Sequence, residues 1–301
     1  MYKFLCSTSI KCLVFCWALI TSPYLFANSK IQLNIPNARS NVDISHDYHL
    51  QLLQRLLAQI NQDEHVTINV IESMTQGRAE AELVHNKLIN LYWLGASTDI
   101  DNTLHAIEVP TTKGLIGIRK FFVHHTQQEK LDRIKTVKDL SRFVACQGEH
   151  WPDTKILRYA GLPVTTSPQY EYLFGMLNKN RCDYFPRGVH DFLTEMPLRN
   201  NWLENVKQLD SIILHYPFAV YFYTHNNNKD IISIIEKGMH KLAENGGIEQ
   251  LMRQHPLTKE VFVHPAAKGQ HLIQIANPYI KKTPLMNDER YWFKPTQFLI
   301  N

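Results

Sequence analysis

Short β-branched runs alternate along this chain with segments whose leucines recur at helical spacing. Ile31 to Ile35 and Val66 to Ile71 alternate apolar and polar residues, as strands do, and Tyr48 to Ile60 between them has helical periodicity. Arg78 to Asn86 repeats the helical pattern, and Ile89 to Leu94 is another short apolar run. Such alternation predicts an α/β fold with a mostly parallel sheet and helices on its faces.

The same alternation recurs in a second unit further along the chain. Its strand, helix, strand, helix and strand are predicted at Phe143 to Cys146, Asp153 to Ala160, Val164 to Thr166, Tyr170 to Asn178 and Cys182 to Phe185. No residue-level repeat accompanies this doubling, so it is a repeat of architecture alone. We therefore expect two doubly wound α/β lobes.

Extended, β-branched stretches flank the second unit. Val109 to Val123 precedes it and Tyr216 to Thr224 follows it, which is what a two-stranded hinge between lobes requires. The predicted organisation is a signal peptide (1–27), the first part of lobe 1 (28–113), lobe 2 with hinge strands at its ends (114–218), and a return to lobe 1 with a C-terminal tail (219–301). The proline-rich tail is expected to wrap over lobe 1.

The first segment has the pattern of an export signal. Lys3 and Lys11 supply positive charge, Leu13 to Ile20 is apolar, and Ala27 is a small residue suited to cleavage. The alternative is a membrane anchor, but the apolar run is shorter than the ~20 residues that a spanning helix needs. We expect cleavage near Ala27 and a periplasmic protein.

Charge excludes several function classes. Loss of the signal would leave 30 of the 32 basic residues against 28 acidic ones, without a basic stripe, so nucleic acid is not an expected partner. His124 and His125, with Glu129 four residues later, do not complete a tetrahedral metal site, and no phosphate loop or nucleophile elbow is present. We expect a monomer that uses no cofactor and no metal.

Two cysteines remain beyond the predicted signal. Cys146 and Cys182 could form a disulfide in an oxidising compartment, or they could be two buried thiols on neighbouring strands. Bridging depends on the distance and direction of the two Cβ atoms, so the sequence leaves both alternatives open.

Several stretches in a fixed order carry a resemblance. They are Thr136 to Leu140 with Phe143 to Gly148, Asn180 to Phe185, Pro217 to Phe222, and Ile235 to Gly238 with Asn245 to Gly247. Together they resemble the periplasmic solute-binding proteins of extracellular family 3, the polar amino acid uptake type. The resemblance implies a type II periplasmic-binding fold that closes over a small polar solute and serves an inner-membrane transporter or a sensor.

The chain departs from that family at two ligand positions. Gly148 is followed by Glu149, His150 and Trp151, where the family offers a small hydroxyl residue. Arg187 stands near the place where an acidic residue commonly meets the solute amine. An arginine there predicts a carboxylate or phosphate on the solute. We then expect Arg187→Ala to weaken the binding of an acidic ligand and to leave the melting temperature of the empty protein nearly unchanged.

The candidate ligand-binding residues lie at predicted strand ends, where sheets of this class hold ligands. They are Thr75, Arg78, Trp93, Ser97, Gly148, Glu149, His150, Trp151 and Arg187. Simpler alternatives are a helix cap for Thr75, a solvated Arg78, a core position for Trp93 and a turn at Ser97 with Thr98.

Two other functions are compatible with the same scaffold. Glu149 and His150 in a cleft could perform acid–base chemistry, which would make the protein a periplasmic lyase or dehydratase. The two-lobed protein could instead serve as the partner of a signalling protein.

Overall fold

The computed structural model describes residues 31–60, 65–199, 203–263 and 270–294. The predicted signal peptide lies outside these ranges. Within them the strands are β1 (Ile31–Pro36), β2 (Val66–Ile71), β3 (Tyr92–Gly95), β4 (His105–Ile107), β5 (Ile118–His124), β6 (Ala145–Gly148), β7 (Val164–Ser167), β8 (Tyr184–Gly188), β9 (Val206–His215), β10 (Val220–Thr224) and β11 (His271–Gln274).

Helices lie between most of these strands. They are α1 (Ile44–Ala58), α2 (Gln76–Val84), α3 (Thr98–Asp101), α4 (Gln128–Leu131), α5 (Val137–Leu140), α6 (Pro152–Tyr159), α7 (Tyr170–Asn178), α8 (Val189–Glu195), α9 (Lys229–Glu244), α10 (Gly247–Gln254) and α11 (Lys259–Val263), with 3₁₀ turns at Leu115–Gly117, His125–Gln127 and Pro284–Asn287. Pro152 begins α6 where a missing N–H costs nothing, and Thr136 and Asp139 form a capping box at α5.

The first lobe has two small sheets. β1 and β2 are parallel, and β10 lies antiparallel between β3 and β4. The backbone N–H groups of Asn90 and Leu91 donate to the carbonyl of Asn34, which joins the two sheets. The sequence predicted a mostly parallel sheet here; β10 differs because it enters from the second lobe, in the opposite direction.

The second lobe is a six-stranded sheet in the order β11-β9-β5-β8-β6-β7. β6 is parallel to β7 and β8, whereas β5 is antiparallel to β8 and β9. Its two faces bury separate apolar clusters, because successive strand residues such as Phe121 and Phe122 point to opposite sides. The first lobe has its own core, so the predicted α/β fold with two lobes is confirmed.

Two strands of this sheet were not predicted. β9 lacks the alternation that marks a strand, since Val206 and Leu209 are three residues apart and Ile212 to Leu214 are consecutive; its pairing with β5 is correspondingly irregular. β11 belongs to the tail that was expected to wrap over lobe 1, but it pairs with β9 in lobe 2. Only afterwards does the tail return to lobe 1, where Trp292 packs in that lobe's core.

Among the described residues, three segments connect the lobes. The first two, 110–117 and 216–219, run side by side, with the N–H of Tyr216 donating to the carbonyl of Gly117 at 3.2 Å. The third is the tail after β11, which is tied to the second by Asn277 Nδ2 donating to the Pro217 carbonyl at 2.9 Å. The tail therefore adds a connection to the two predicted hinge strands.

A disulfide joins Cys146 at the middle of β6 to Cys182 just before β8, with their Cα atoms 5.6 Å apart. Of the two alternatives left open by the sequence, the structure has the bonded one. Among the described residues, no helix has the length and apolar character needed to cross a membrane.

Gly117→Ala is expected to destabilise the protein by about 1–3 kcal/mol. A Cβ at this position would lie 2.3 Å from the carbonyl oxygen of Tyr216, so the two hinge segments would have to separate. Gly175→Ala is the matched control, since a Cβ there meets nothing within 4 Å inside α7 and should stabilise by roughly 0.5–1 kcal/mol. Urea unfolding measures both; equal stability of Gly117→Ala and wild type would contradict the close approach.

Replacing both Cys146 and Cys182 by alanine should lower the free energy of unfolding by about 2–4 kcal/mol, because the bond closes a loop of 36 residues in the unfolded chain. Thermal unfolding with and without reductant is the measurement. Wild type should respond to reductant and the double variant should not. A reductant-insensitive wild type would show that the bond is absent.

Candidate functional site

The carboxyl ends of the strands converge on a cleft between the lobes. β6 and β8 end there in the second lobe, and β1, β2 and β3 end there in the first. The cleft has an inner cavity of about 80 Å³ and an outer cavity of about 370 Å³. Arg39, Gln76 and Trp151 line both, so they form the boundary between the two compartments.

Among the described residues, three buried polar atoms on residues that line the inner cavity have no hydrogen-bond partner. They are Thr112 Oγ1 in the first hinge segment, Arg119 Nε on β5 and His190 Nδ1 on α8, and each residue is less than 4% exposed. Leaving such atoms unpaired costs free energy in an empty protein. These three atoms are therefore the candidates for hydrogen bonds to a bound molecule.

His190 is held as a neutral imidazole. Its burial lowers the pKa, which outweighs the opposing charge of Asp191. The Nε2 atom faces Asp191 Oδ1 at 3.6 Å, which favours the proton on Nε2 and leaves Nδ1 as a hydrogen-bond acceptor. The inner cavity thus offers one acceptor at His190, one donor at Arg119 Nε, and a hydroxyl that can do either.

Aromatic rings form much of the wall. Tyr92, Trp93, Trp151 and Phe218 all line the inner cavity. Trp93 is 8% exposed and stacks in parallel on His49, with ring centroids 4.7 Å apart. Burial lowers the pKa of His49 to about 3, so this support is uncharged.

Each arginine of the inner cavity is already paired. Arg39 donates to Asp43 at 2.6 and 3.0 Å, and Arg119 donates to Asp153. Burial alone would raise the pKa of Asp43, but the adjacent guanidinium prevails and lowers it to about 2.

Arg187 donates through Nε and Nη2 to both oxygens of Glu195, at 2.8 and 2.7 Å, and its Nη2 lies 3.2 Å from Asp191. This corrects the expectation of a free guanidinium for a solute carboxylate or phosphate: two carboxylates of α8 already neutralise Arg187. Because both acids are buried, the structure predicts that Arg187→Ala lowers the melting temperature of the empty protein, where the sequence predicted almost no change.

The structure divides the sequence-predicted site residues among three places. Trp93, Trp151 and Arg187 line the inner cavity, and Thr75, Arg78, Gly148, Glu149, His150 and again Trp151 line the outer one. Ser97, which caps α3, lines a third cavity together with Glu149, His150 and Trp151.

Local roles accompany several of these positions. Thr75 caps α2 by accepting from the Arg78 N–H at 3.4 Å. His150, from lobe 2, rests on Gly77 of lobe 1, where a Cβ would lie 2.6 Å from its ring. Glu149 and His150 are both exposed.

Sequence reasoning missed several residues that line the inner cavity. They are Arg39, Thr112, Asp153, His190 and Asp191. Arg39 could have been found, because it lies just beyond the carboxyl end of the first strand, where ligands bind in sheets of this class. Within the described part of the chain, no group of three or more His, Cys, Asp or Glu side chains is arranged to hold a metal ion.

Comparisons with known proteins show the fold. No protein-family model and no curated protein matches the chain. Solved structures do: an ancestral arginine-binding protein bound to arginine has a TM-score of 0.55 at 14% identity, covering 74% of this chain and 97% of its own. A histidine kinase sensor domain with similarity to periplasmic binding proteins has a TM-score of 0.55 at 12% identity. The match covers 75% of this chain and 95% of that domain.

A third solved structure is an ancestral amino acid-binding protein described as a precursor of cyclohexadienyl dehydratase. It has a TM-score of 0.55 at 10% identity and covers 74% of this chain and 95% of its own. At these identities the likeness establishes the fold, which is that of the type II periplasmic-binding proteins. The resemblance in the sequence is confirmed at this level.

Arg187→Ala should destabilise the empty protein by about 3–5 kcal/mol, because Glu195 and Asp191 would remain buried without their cation. Adding Glu195→Gln to this variant removes one of the two unpaired buried charges. It should therefore restore part of the lost stability. Urea unfolding at neutral pH measures both. An Arg187→Ala variant as stable as wild type would contradict the buried pairing.

Proposed function

We propose that this chain is an exported solute-binding protein that encloses a small polar solute in the inner cavity by closure of its two lobes. The observation that carries the proposal is that three residues lining one cavity, Thr112, Arg119 and His190, each have a buried polar atom without a partner among the described residues. A solute with both donor and acceptor groups would satisfy all three atoms. Binding would therefore remove the free-energy cost of leaving them unpaired.

Contacts between the lobes support closure. Ser40 of lobe 1 donates to Glu171 of lobe 2 at 2.8 Å, and the Arg39 guanidinium lies 4.5 Å from the ring centroid of Tyr170. Lys155 on α6 pairs with Asp99 on α3. Such contacts exist only while the lobes are together, and each is exposed or single, so they are weak enough for the cleft to reopen.

Export to the periplasm is part of the proposal. The charged and apolar pattern of residues 1–27 supports a cleaved signal, and the Cys146–Cys182 bond suits an oxidising compartment. The inner cavity is complete within one chain, which supports action as a monomer.

The partner is a membrane transporter or a sensor. An arginine-binding protein and a histidine kinase sensor domain share the fold, and they support these two uses respectively. The lyase alternative has weaker support: one relative by fold is a dehydratase precursor, yet Glu149 and His150 lie exposed at the outer cavity. We therefore favour binding over catalysis.

A thermal-shift screen of amino acids, organic acids, amines and sugars tests the proposal. A solute at a hundred times its dissociation constant adds about 2.7 kcal/mol to the stability of the folded protein. We expect at least one class to raise the melting temperature without being consumed on incubation. A hit that is chemically converted would favour the lyase, and a screen with no hit in any class would contradict solute binding.

His190→Gln should lower the affinity for the solute found in that screen by about tenfold. The glutamine amide takes the position of Nε2 and leaves no acceptor at the position of Nδ1. His190→Asn, whose amide reaches the Nδ1 position, should retain more of the affinity. Calorimetric titration measures both. Tyr184→Phe is the control, because its hydroxyl is also buried and unpartnered but lies in the lobe 2 core. Equal affinities for the two His190 variants would remove Nδ1 from the site.

A further inference from the structure

The buried charges around the inner cavity do not balance. Its three arginines are matched against four carboxylates, which are Asp43, Asp153, Asp191 and Glu195. The neighbouring pair of Arg199 and Glu171 adds one charge of each sign and leaves the difference unchanged. An uncompensated buried carboxylate is costly, so this cluster is short of one positive charge.

Of these four acids, Asp191 shares its cation, Arg187, with Glu195, which takes both hydrogen bonds of that arginine. The other three each accept two or more hydrogen bonds from arginine or tyrosine side chains. The oxygens of Asp191 accept none from any residue that the structure describes; they have only Arg187 Nη2 at 3.2 Å, outside hydrogen-bond geometry, and His190 Nε2 at 3.6 Å. Asp191 lines the inner cavity, so a guest can reach it.

An anionic guest finds no matching charge in this cavity. Arg39, Arg119 and Arg187 are all neutralised by carboxylates, and a carboxylate or phosphate would enlarge the excess of negative charge. A cation would cancel it. Aromatic faces attract positive charge, and Tyr92, Trp93 and Trp151 line this cavity, with one face of Trp93 already stacked on His49 and Trp151 already beneath Arg187.

We propose that the inner cavity selects a small organic cation, whose ammonium or guanidinium group is met by Asp191 and the surrounding aromatic rings. This inference rests on the proposed solute-binding function and names its substrate class. Arg119 Nε and the Thr112 hydroxyl then bind a hydroxyl or carbonyl on the same molecule.

Matched solutes on the wild-type protein test the charge requirement. Choline and 3,3-dimethyl-1-butanol have nearly the same shape and differ by one positive charge, and agmatine can be compared with L-glutamate. We expect choline or agmatine to raise the melting temperature and the neutral and anionic compounds to leave it unchanged. Binding of a neutral or anionic solute with none by the cations would overturn the inference and leave solute binding intact. No binding by any class would overturn both.

Asp191→Asn tests the residue. It keeps the shape of the side chain, and Arg187 keeps its two bonds to Glu195, so the variant should fold; its melting temperature without ligand checks this. Affinity for the cationic probe should fall about tenfold or more. Asp101→Asn is the control, a half-buried acid in lobe 1 that accepts from Tyr223. Unchanged cation affinity in folded Asp191→Asn would overturn the assignment.

Discussion

Ionised side chains can be buried between two lobes only when each has a partner, and this constraint organises the whole cleft. Glu195 on α8 accepts from Arg187 and from the Tyr170 hydroxyl, and the ring of Tyr170 lies beneath Arg39 of the other lobe. One charged network therefore runs from the second lobe to the first. The position of the cavity, its polarity and its closed form all follow from that network.

The connections between the lobes set how that network can open. The two hinge segments meet at Gly117, where Tyr216 approaches too closely for any side chain. The tail after β11 forms a third connection: Tyr279 accepts from the Thr98 N–H at 2.7 Å, and Phe293 donates to Lys113 at 2.9 Å.

The same fold serves proteins that hold different molecules, so the side chains of the cleft decide the guest. Here the arginines are used to neutralise acids of their own lobe. The polar groups that remain are the His190 acceptor, the Arg119 Nε donor and the Thr112 hydroxyl. Aromatic rings and Asp191 also line the cavity. A cleft of this composition differs in kind from one that clamps a solute carboxylate.

Local patterns in the sequence determined the elements and the two-lobed fold. β2 and α7 have the predicted bounds, because strand alternation and helical periodicity are properties of neighbouring residues. Tertiary structure alone decided the rest: the pairing of β11 with β9, the Cys146–Cys182 bond and the partner of Arg187. Each depends on which side chains face one another after folding, and a guanidinium has the same chemistry in the sequence whether a carboxylate of α8 or a solute will finally meet it.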